Sequence, residues 1–178
     1  MNRRSLILGA VALSVSGCAA APRAPSEPAR PLTLVSAFEG RTTGRGVFRI
    51  RLTGDERRFT ARLNGLVTGK APERTLTVTE DFVFDDGQED RLTWVFRETA
   101  PGRWSGKRED TVGEAEVIES DGVIRLVYTA DFRSPSGVTR LGFRDIIYAG
   151  PDDTIINDGV VSRWGLPVAD VRFVIRRA

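Results

Sequence analysis

The sequence contains no histidine and a single cysteine, Cys18, among 178 residues. Histidine is the usual general base at neutral pH and a frequent zinc ligand, so its absence argues against histidine-dependent catalysis and a typical zinc site. One cysteine forms no internal disulfide. No glycine-rich phosphate loop stands between a predicted strand and a predicted helix. We therefore expect no cofactor, no bound metal and no enzymatic activity.

A large excess of either charge is also missing. The whole chain has 26 basic and 24 acidic side chains, and removal of residues 1–17 would leave 24 of each sign. Binding to nucleic acid requires clustered positive charge on one surface. The sequence therefore predicts no nucleic-acid partner.

The N-terminus has the pattern of a secretory signal peptide. Two arginines precede an apolar run at residues 6–15, which is shorter than the ~20 residues that span a bilayer. The run ends in VSGC at residues 15–18, which resembles the bacterial lipobox. We predict a signal peptide at residues 1–17 and acylation of Cys18, because two or more acyl chains anchor a protein stably in a membrane.

The residue after the predicted lipidation site is Ala19. An aspartate at this place usually retains a lipoprotein in the inner membrane. Alanine therefore predicts a lipid anchor in the outer membrane, on its periplasmic face.

A proline-rich segment separates the predicted anchor from the remaining chain. Prolines stand at every third position from Pro22 to Pro31, a spacing that favours extended polyproline conformation. At ~3.1 Å per residue, the 13 residues from 19 to 31 reach up to about 40 Å. We expect residues 18–33 to form a lipidated tether, in which residues 19–31 bury nothing, and residues 34–178 to form one domain.

Alternation of apolar and polar residues dominates this domain. Examples are VFRIRL at residues 47–52, TLTVTEDFVF at residues 75–84 and VRFVIRR at residues 171–177. This period of two is typical of half-buried antiparallel strands, and Asp-Gly and Pro-Gly turns separate the runs. The sequence predicts an all-β fold of about ten strands. A single antiparallel up-and-down barrel of the lipocalin type fits best, and a two-sheet β-sandwich is the alternative.

Two acids lie on the apolar faces of predicted strands. Glu80 alternates with Val78 and Phe82, and Asp145 alternates with Phe143. A buried carboxylate is costly unless it is paired, hydrogen-bonded or protonated. We expect both to point into the barrel.

A third predicted strand continues by steps of two through Trp104, Gly106, Arg108 and Asp110. It would place Arg108 inside as the counter-charge of the acids. This polar patch orients a ligand head group, or it is a structural network that fixes barrel closure. The candidate ligand-binding residues are Glu80, Trp94, Trp104, Arg108, Asp110, Tyr128 and Asp145.

Three stretches of the chain resemble a family of bacterial lipoproteins known as domain of unknown function 3833. They are TVTEDFVFDDG at residues 77–87, EDTVGEA at residues 109–115 and the closing segment at residues 144–177, with Asp145, Asn157 and Trp164. The resemblance implies a calycin-like barrel and carries no established activity. Genes of this family often lie near genes for enzymes that modify membrane fatty acids.

These observations lead to three functional hypotheses. The first is a lipoprotein whose barrel binds a fatty-acid-like or other apolar ligand in the cell envelope. The second is a structural or interaction lipoprotein with a filled barrel and an unnamed protein partner. The third, which we rank last, is an enzyme that uses carboxylates. A cavity of a few hundred Å³ inside the barrel would favour the first, and an interior packed with aromatic side chains the second.

Replacement of Cys18 tests the lipid anchor. We expect Cys18→Ser to leave an unprocessed or soluble form that separates from the membrane fraction, since the serine hydroxyl cannot carry the thioether-linked diacylglycerol. Cell fractionation and the mass of the mature chain measure this. Normal membrane recovery of the variant with its signal peptide removed would contradict the prediction.

Overall fold

The structure is a computed structural model that describes residues 22–134 and 137–178. It confirms the all-β fold and the predicted number of strands, because ten antiparallel strands and one short helix make up the described chain. The helix is α1 (Leu34–Phe38), and the strands are β1 (Gly40–Ile50), β2 (Glu56–Thr68), β3 (Thr75–Phe84), β4 (Glu89–Ala100), β5 (Arg103–Lys107), β6 (Ala115–Ser120), β7 (Val123–Ser134), β8 (Gly137–Ala149), β9 (Ile155–Arg163) and β10 (Leu166–Arg177).

The sheet closes on itself. Each strand pairs with its sequence neighbours, and β10 returns to pair with β1 from Thr42↔Arg177 to Ile50↔Ala169. Closure pairs both edges that an open sheet of this length would expose. The fold is therefore the predicted up-and-down barrel and not the alternative sandwich.

Helix α1 covers one end of the barrel, which we call the closed end. The Thr33 side chain accepts a hydrogen bond from the Ser36 backbone, and the Ser36 hydroxyl accepts one from the Thr33 backbone, so the helix begins with a capping box. Leu34 and Ala37 are fully buried in the barrel core. Five residues are too few to show a helical period, and so the sequence did not predict α1.

The opposite end, which we call the open end, carries the hairpins β1–β2, β3–β4, β5–β6, β7–β8 and β9–β10. In an up-and-down barrel alternate connections lie at alternate ends. No helix covers this end among the residues that the structure describes.

Part of the predicted tether packs on the barrel, although none of the described residues 22–31 is itself buried. The backbone N–H of Ala29 donates to the Ala149 carbonyl at the end of β8, and that of Leu32 donates to the Gly122 carbonyl. The Leu32 side chain is 2% exposed and joins the core. The described segment therefore runs along the outside of the barrel before α1 enters the closed end. The domain boundary at residue 33 stays a prediction.

Two glycines in β1 make room for aromatic side chains inside the barrel. A Cβ on Gly44 would lie 2.5 Å from the Phe173 ring, and a Cβ on Gly46 would lie 2.1 Å from the Phe59 ring. The rings of Phe59 and Phe173 are 5.2 Å apart, within the usual range of aromatic pairs. Close packing across the β1–β10 seam thus depends on the absence of side chains at these positions.

The end of β1 differs from the sequence prediction. Alternation placed Ile50 and Leu52 on the core face with Phe48, but Ile50 is 47% exposed and Leu52 is 94% exposed. Strand β1 ends at Ile50, and the hairpin turn that follows points Leu52 into solvent.

The predicted signal peptide and Cys18 lie outside the described residues, so the lipid anchor stays a prediction. Within residues 22–134 and 137–178, no helix has the length and hydropathy needed to cross a bilayer.

Truncation of Phe173 tests the packing of the closing strand. Because Phe173 is 6% exposed and contacts Phe59, we expect Phe173→Ala to lower the free energy of unfolding by ~3–5 kcal/mol. Val174 faces outward on the same strand, and Val174→Ala should cost much less. Denaturant unfolding of the purified protein measures both, and equal losses would contradict the assignment of the core face.

Candidate functional site

The candidate site is a polar cluster inside the barrel with Arg108 at its centre. The Arg108 side chain is 10% exposed and forms a two-point ion pair with Asp110, with Nε–Oδ1 and Nη2–Oδ2 distances of 2.7 and 2.9 Å. Its Nη1 atom lies 3.6 Å from Glu80 Oε2. Bidentate arginine–carboxylate pairs are among the strongest charge-assisted contacts. Asp110, rather than Glu80, is therefore the main partner of Arg108.

A turn in the β5–β6 connection places Arg108. The Arg108 backbone N–H donates to Thr111 Oγ1, and that hydroxyl donates to the Arg108 carbonyl. The Asp131 N–H on β7 donates to the Asp110 carbonyl at 2.9 Å, which fixes the connection against the barrel wall. Strand β5 ends at Lys107. The prediction that β5 continues through Arg108 and Asp110 is therefore wrong. The prediction that Arg108 points inward is correct.

Aromatic rings surround the guanidinium group. The Arg108 Cζ atom lies 4.8 Å from the centre of the Trp94 ring and 5.4 Å from that of Tyr128. Trp94 and Tyr128 meet edge to face, and Tyr128 stacks on Phe143 at 4.6 Å. Cation–π attraction of this kind gains strength where water is excluded. The rings therefore stabilise a buried positive charge in the barrel.

Asp145 approaches from the opposite wall. Its strand, β8, lies five places from β3, the strand of Glu80, in the ring of ten. The Asn157 side chain forms a hydrogen bond with Asp145. A Cβ on Gly159 would lie 2.2 Å from Asp145 Oδ1, so this carboxyl group occupies the space that Gly159 leaves free. Glu80 and Asp145 thus face the same interior from two sides.

Burial changes the protonation of both inward acids. It raises the pKa of Glu80 to about 7, although the nearby Arg108 charge acts in the other direction. Burial also raises the pKa of Asp145 to about 7, against the hydrogen bond from Asn157 and the charge of Arg108. Both groups therefore exchange a proton near neutral pH. Burial raises the pKa of Tyr128 as well, which keeps its hydroxyl protonated.

Three buried side-chain oxygens of the described chain have no hydrogen-bond partner within it: Thr42 Oγ1, Glu80 Oε2 and Asn157 Oδ1. Buried polar atoms are nearly always satisfied by protein, water or ligand. Glu80 and Asn157 belong to the cluster around Arg108 and Asp145. The interior therefore offers polar atoms to a molecule that enters the barrel.

The structure brings together six of the seven predicted ligand-binding residues. Trp104 is the exception, because it lies near the closed end, where its Nε1 donates to Glu119 Oε1 at 3.0 Å and the Arg74 guanidinium lies 5.2 Å from its ring. Asn157 joins the site although it is not among the predicted ligand-binding residues. It alternates with the buried Ile155 on the inward face of β9, and this alternation is the signal that identifies it.

Two open depressions lie on the outer wall, away from this cluster. One, of about 470 Å³, lies between β1, β9 and β10, and the other, of about 490 Å³, lies between β1, β2, β3 and β4. Within the described ranges, no group of three or more His, Cys, Asp or Glu side chains is placed to hold a metal ion. The Arg108 cluster is the better candidate, because it combines burial, charge and unsatisfied polar atoms.

A closed antiparallel barrel with one covered end and a polar cluster in an otherwise apolar interior is a lipocalin-like fold. More particularly, the chain belongs to the family described as protein of unknown function (DUF3833), whose model matches residues 12–177. No curated protein matches the sequence.

Two solved structures are similar in fold. The S-type phycobiliprotein lyase CPES from Guillardia theta has a TM-score of 0.57 at 8% identity, over 79% of this chain and 88% of that chain. Rv2717c from M. tuberculosis has a TM-score of 0.50 at 20% identity, over 81% of this chain and 94% of that chain. At such identities the likeness shows the fold alone.

The expectation that the protein is not an enzyme is corrected. A structure of similar fold is named as a lyase, so a barrel of this architecture does not argue against catalysis. The missing histidine does not decide the question either. Glu80 and Asp145, each with a pKa raised to about 7, have the acid–base properties that histidine usually supplies.

The two raised pKa values predict a particular dependence of stability on pH. Below the ordinary pKa values of 4.5 and 3.8, Glu80 and Asp145 are protonated in both the folded and the unfolded protein. Between those values and about 7 the unfolded chain loses these protons first, so stability falls as pH rises and then levels off. We expect a loss on the order of 3 kcal/mol for each group.

Denaturant unfolding at pH values from 4 to 8 measures this loss. Glu80→Gln together with Asp145→Asn should flatten the profile. Asp81 is a suitable control, because it is an exposed acid whose pKa is held below its ordinary value by Arg91, and Asp81→Asn should keep the slope. A flat profile in the unmodified protein would show that both acids reach water.

Proposed function

We propose that the protein is a lipid-anchored barrel of the cell envelope that holds a fatty-acid-like ligand with its carboxylate at Arg108. The observation that carries the proposal is a buried guanidinium against two aromatic rings, 3.6 Å from a Glu80 oxygen that accepts no hydrogen bond. A few polar groups that converge in an apolar interior are typical of small-molecule sites.

Protonated Glu80 and charged Arg108 together suit a carboxylate. With a pKa of about 7, Glu80 keeps its proton in about half of the molecules at neutral pH. Its O–H then donates to an anionic ligand, while Arg108 supplies the positive charge. Asp110 already neutralises part of that charge, so Glu80 must be protonated for the anion to bind tightly.

The apolar part of the ligand would lie toward the open end. Toward the open end, inward-facing Phe48, Phe82, Leu141 and Phe143 are half-buried, although the neighbouring Phe59 and Phe84 are buried. Inward-facing residues toward the closed end, such as Leu76 and Ile175, are fully buried. Solvent therefore reaches the interior from the open side. An acyl chain that replaced this water would gain free energy from the apolar surface it covers.

The anchor and location complete the proposal. Acylation of Cys18 would attach the chain to the outer membrane, and Ala19 at the next position supports that location. A barrel anchored to a membrane lies next to the lipids from which its ligand would come.

A second candidate is a filled structural or interaction barrel that binds no ligand. Trp94 and Trp104 are 4% and 2% exposed, and stacked rings fill much of the interior. Both depressions of a few hundred Å³ lie on the outer wall and not inside the barrel. By the contrast between an interior cavity and aromatic packing, these observations favour the filled barrel. Buried polar networks also fix a unique arrangement in proteins that bind nothing. This candidate predicts that the cluster around Arg108 serves only barrel closure.

Bound lipid distinguishes the two candidates. We expect mass spectrometry of the full chain purified from membranes to show a non-covalent fatty-acyl molecule. A displacement assay with a fluorescent fatty acid should show that the affinity for fatty acid falls as pH rises through about 7, because Glu80 loses its proton. Absence of both co-purified lipid and fatty-acid binding would favour the filled barrel.

Variants at the head-group site sharpen the test. Arg108→Gln should weaken fatty-acid binding by roughly 10- to 100-fold, as expected for loss of charge-assisted hydrogen bonds. Glu80→Gln should keep binding, because the amide still donates a hydrogen bond, and should weaken its pH dependence. Asp145, whose pKa is also about 7, accounts for the dependence that remains. Arg140→Gln is the matched control, since Arg140 is 62% exposed and pairs with Asp131 on the outer wall. Equal effects of Arg108→Gln and Arg140→Gln would contradict the proposed head-group site.

A further inference from the structure

Exposed apolar side chains concentrate at the open end of the barrel. Leu52 in the β1–β2 turn is 94% exposed, Trp164 in the β9–β10 turn is 85% exposed and Leu166 is 68% exposed. With Ile50, these residues form what we call the apolar rim. Single exposed apolar residues are ordinary, but a group of them at one end marks an interaction surface.

The two hairpins of the apolar rim are neighbours. Strands β2, β1, β10 and β9 follow one another around the barrel. The Arg51 backbone N–H donates to the Val168 carbonyl, and the Arg51 side chain pairs with Asp170, so the turns are tied together. Exposed Phe132 and Val138 continue the apolar surface on the next strands.

The other side of the open end has a different character. The β3–β4 hairpin carries four acids between residues 85 and 90, and the β5–β6 connection carries Glu109 and Glu114. The open end is therefore apolar on one side and acidic on the other. With such an asymmetric surface, the barrel could bind a flat surface with its axis tilted, so that the apolar side makes contact and the acidic side stays in solvent.

Trp164 is the most unusual member of the apolar rim. It adopts a left-handed backbone conformation with a φ of 52° beside Gly165 at 80°, a region that bulky residues seldom occupy. The Arg163 guanidinium lies 4.2 Å from its ring. The fold gains no burial from this side chain. Tryptophan next to arginine is the pairing that favours the interface between lipid head groups and acyl chains.

The path of the N-terminal segment points to the same end. Pro22, the first described residue, lines the depression on the outer wall that extends from the middle of β9, at residues 158–160, to Val47, Arg49 and Arg51 in the half of β1 toward the open end. Cys18 is four residues earlier, so it lies within about 14 Å of Pro22 along the chain. An acyl anchor on Cys18 would therefore hold the open end, and not the closed end, near the bilayer.

We propose that the apolar rim inserts into the surface of a phospholipid bilayer, with Trp164 and Leu52 in contact with the acyl chains. The orientation rests on the lipid anchor of the proposed function. In this position the open end of the barrel faces lipid, so a fatty-acyl ligand enters from the membrane without crossing water. The acidic hairpins stay on the side that is tilted away from the lipid surface.

Quenching of tryptophan fluorescence by brominated lipid tests the proposal. The full lipidated chain is reconstituted in vesicles of phosphatidylcholine with dibrominated or unbrominated acyl chains. Trp94 and Trp104 are buried in the barrel, so we expect selective loss of the Trp164 emission in brominated vesicles. Trp164→Phe should remove the quenched component. Leu52→Ser with Leu166→Ser should reduce the quenching of Trp164, because two members of the apolar rim are lost.

The closed end supplies the matched control. Leu66 is 63% exposed at the end of β2, and Leu66→Trp in the Trp164→Phe background should show no quenching. Equal quenching at both ends would mean that the anchor holds the barrel near lipid without a preferred face. No quenching of Trp164 would mean that the rim faces water or a protein. Either result overturns the docking proposal.

The docking and the proposed function fail in distinguishable ways. If the chain does not float with the vesicles in a density gradient, neither the anchor nor the apolar rim binds lipid. The membrane anchor of the proposed function and the docking of the rim are then both wrong. If it floats and Trp164 is not quenched, the anchor stands and the docking is wrong. Mass spectrometry of the non-covalent lipid reports on the barrel ligand separately from both.

Discussion

The pairing of β10 with β1 is the constraint on which the rest of the structure depends. It turns a ten-stranded sheet with two exposed edges into a barrel with a defined inside and outside. The pairing requires that aromatic rings fit where the two strands meet. Gly44 and Gly46 leave that space for Phe173 and Phe59. Without closure, Arg108 and the two inward acids would be on an open sheet surface, with ordinary solvation and no common interior.

A closed interior also makes charge expensive, and this determines the character of the candidate site. The Asp110 ion pair and the flanking rings compensate for the burial of Arg108. Glu80 and Asp145 have weaker compensation, and so their pKa values rise to about 7. The site is therefore a permanent positive charge surrounded by groups that gain or lose protons near neutral pH. An anionic ligand and an acid–base reaction both make use of that arrangement.

Much of this architecture was predictable from the sequence, because alternation with a period of two reports directly on the two faces of a strand. It identified the inward acids Glu80 and Asp145 and the approximate number of strands. Alternation gave a wrong prediction where a strand ends in the structure but the alternation continues in the sequence. Leu52 continues the apolar phase of β1 but lies in a turn, and Arg108 continues the phase of β5 but lies in a connection. Hydrogen bonds of the turns decide such strand ends, and they leave little trace in hydropathy.

The same limits explain why the two ends of the barrel could not be told apart in advance. A five-residue helix and a proline-rich segment have no periodicity, yet together they bring Leu32, Leu34 and Ala37 into the closed end. The chain has no comparable cover for the open end within residues 22–134 and 137–178. Apolar residues in its hairpins therefore remain on the surface, although burial would stabilise them. Because Trp164 also takes a backbone conformation that costs energy, folding alone does not account for this end of the barrel, and its composition is best understood through contact with something outside the chain.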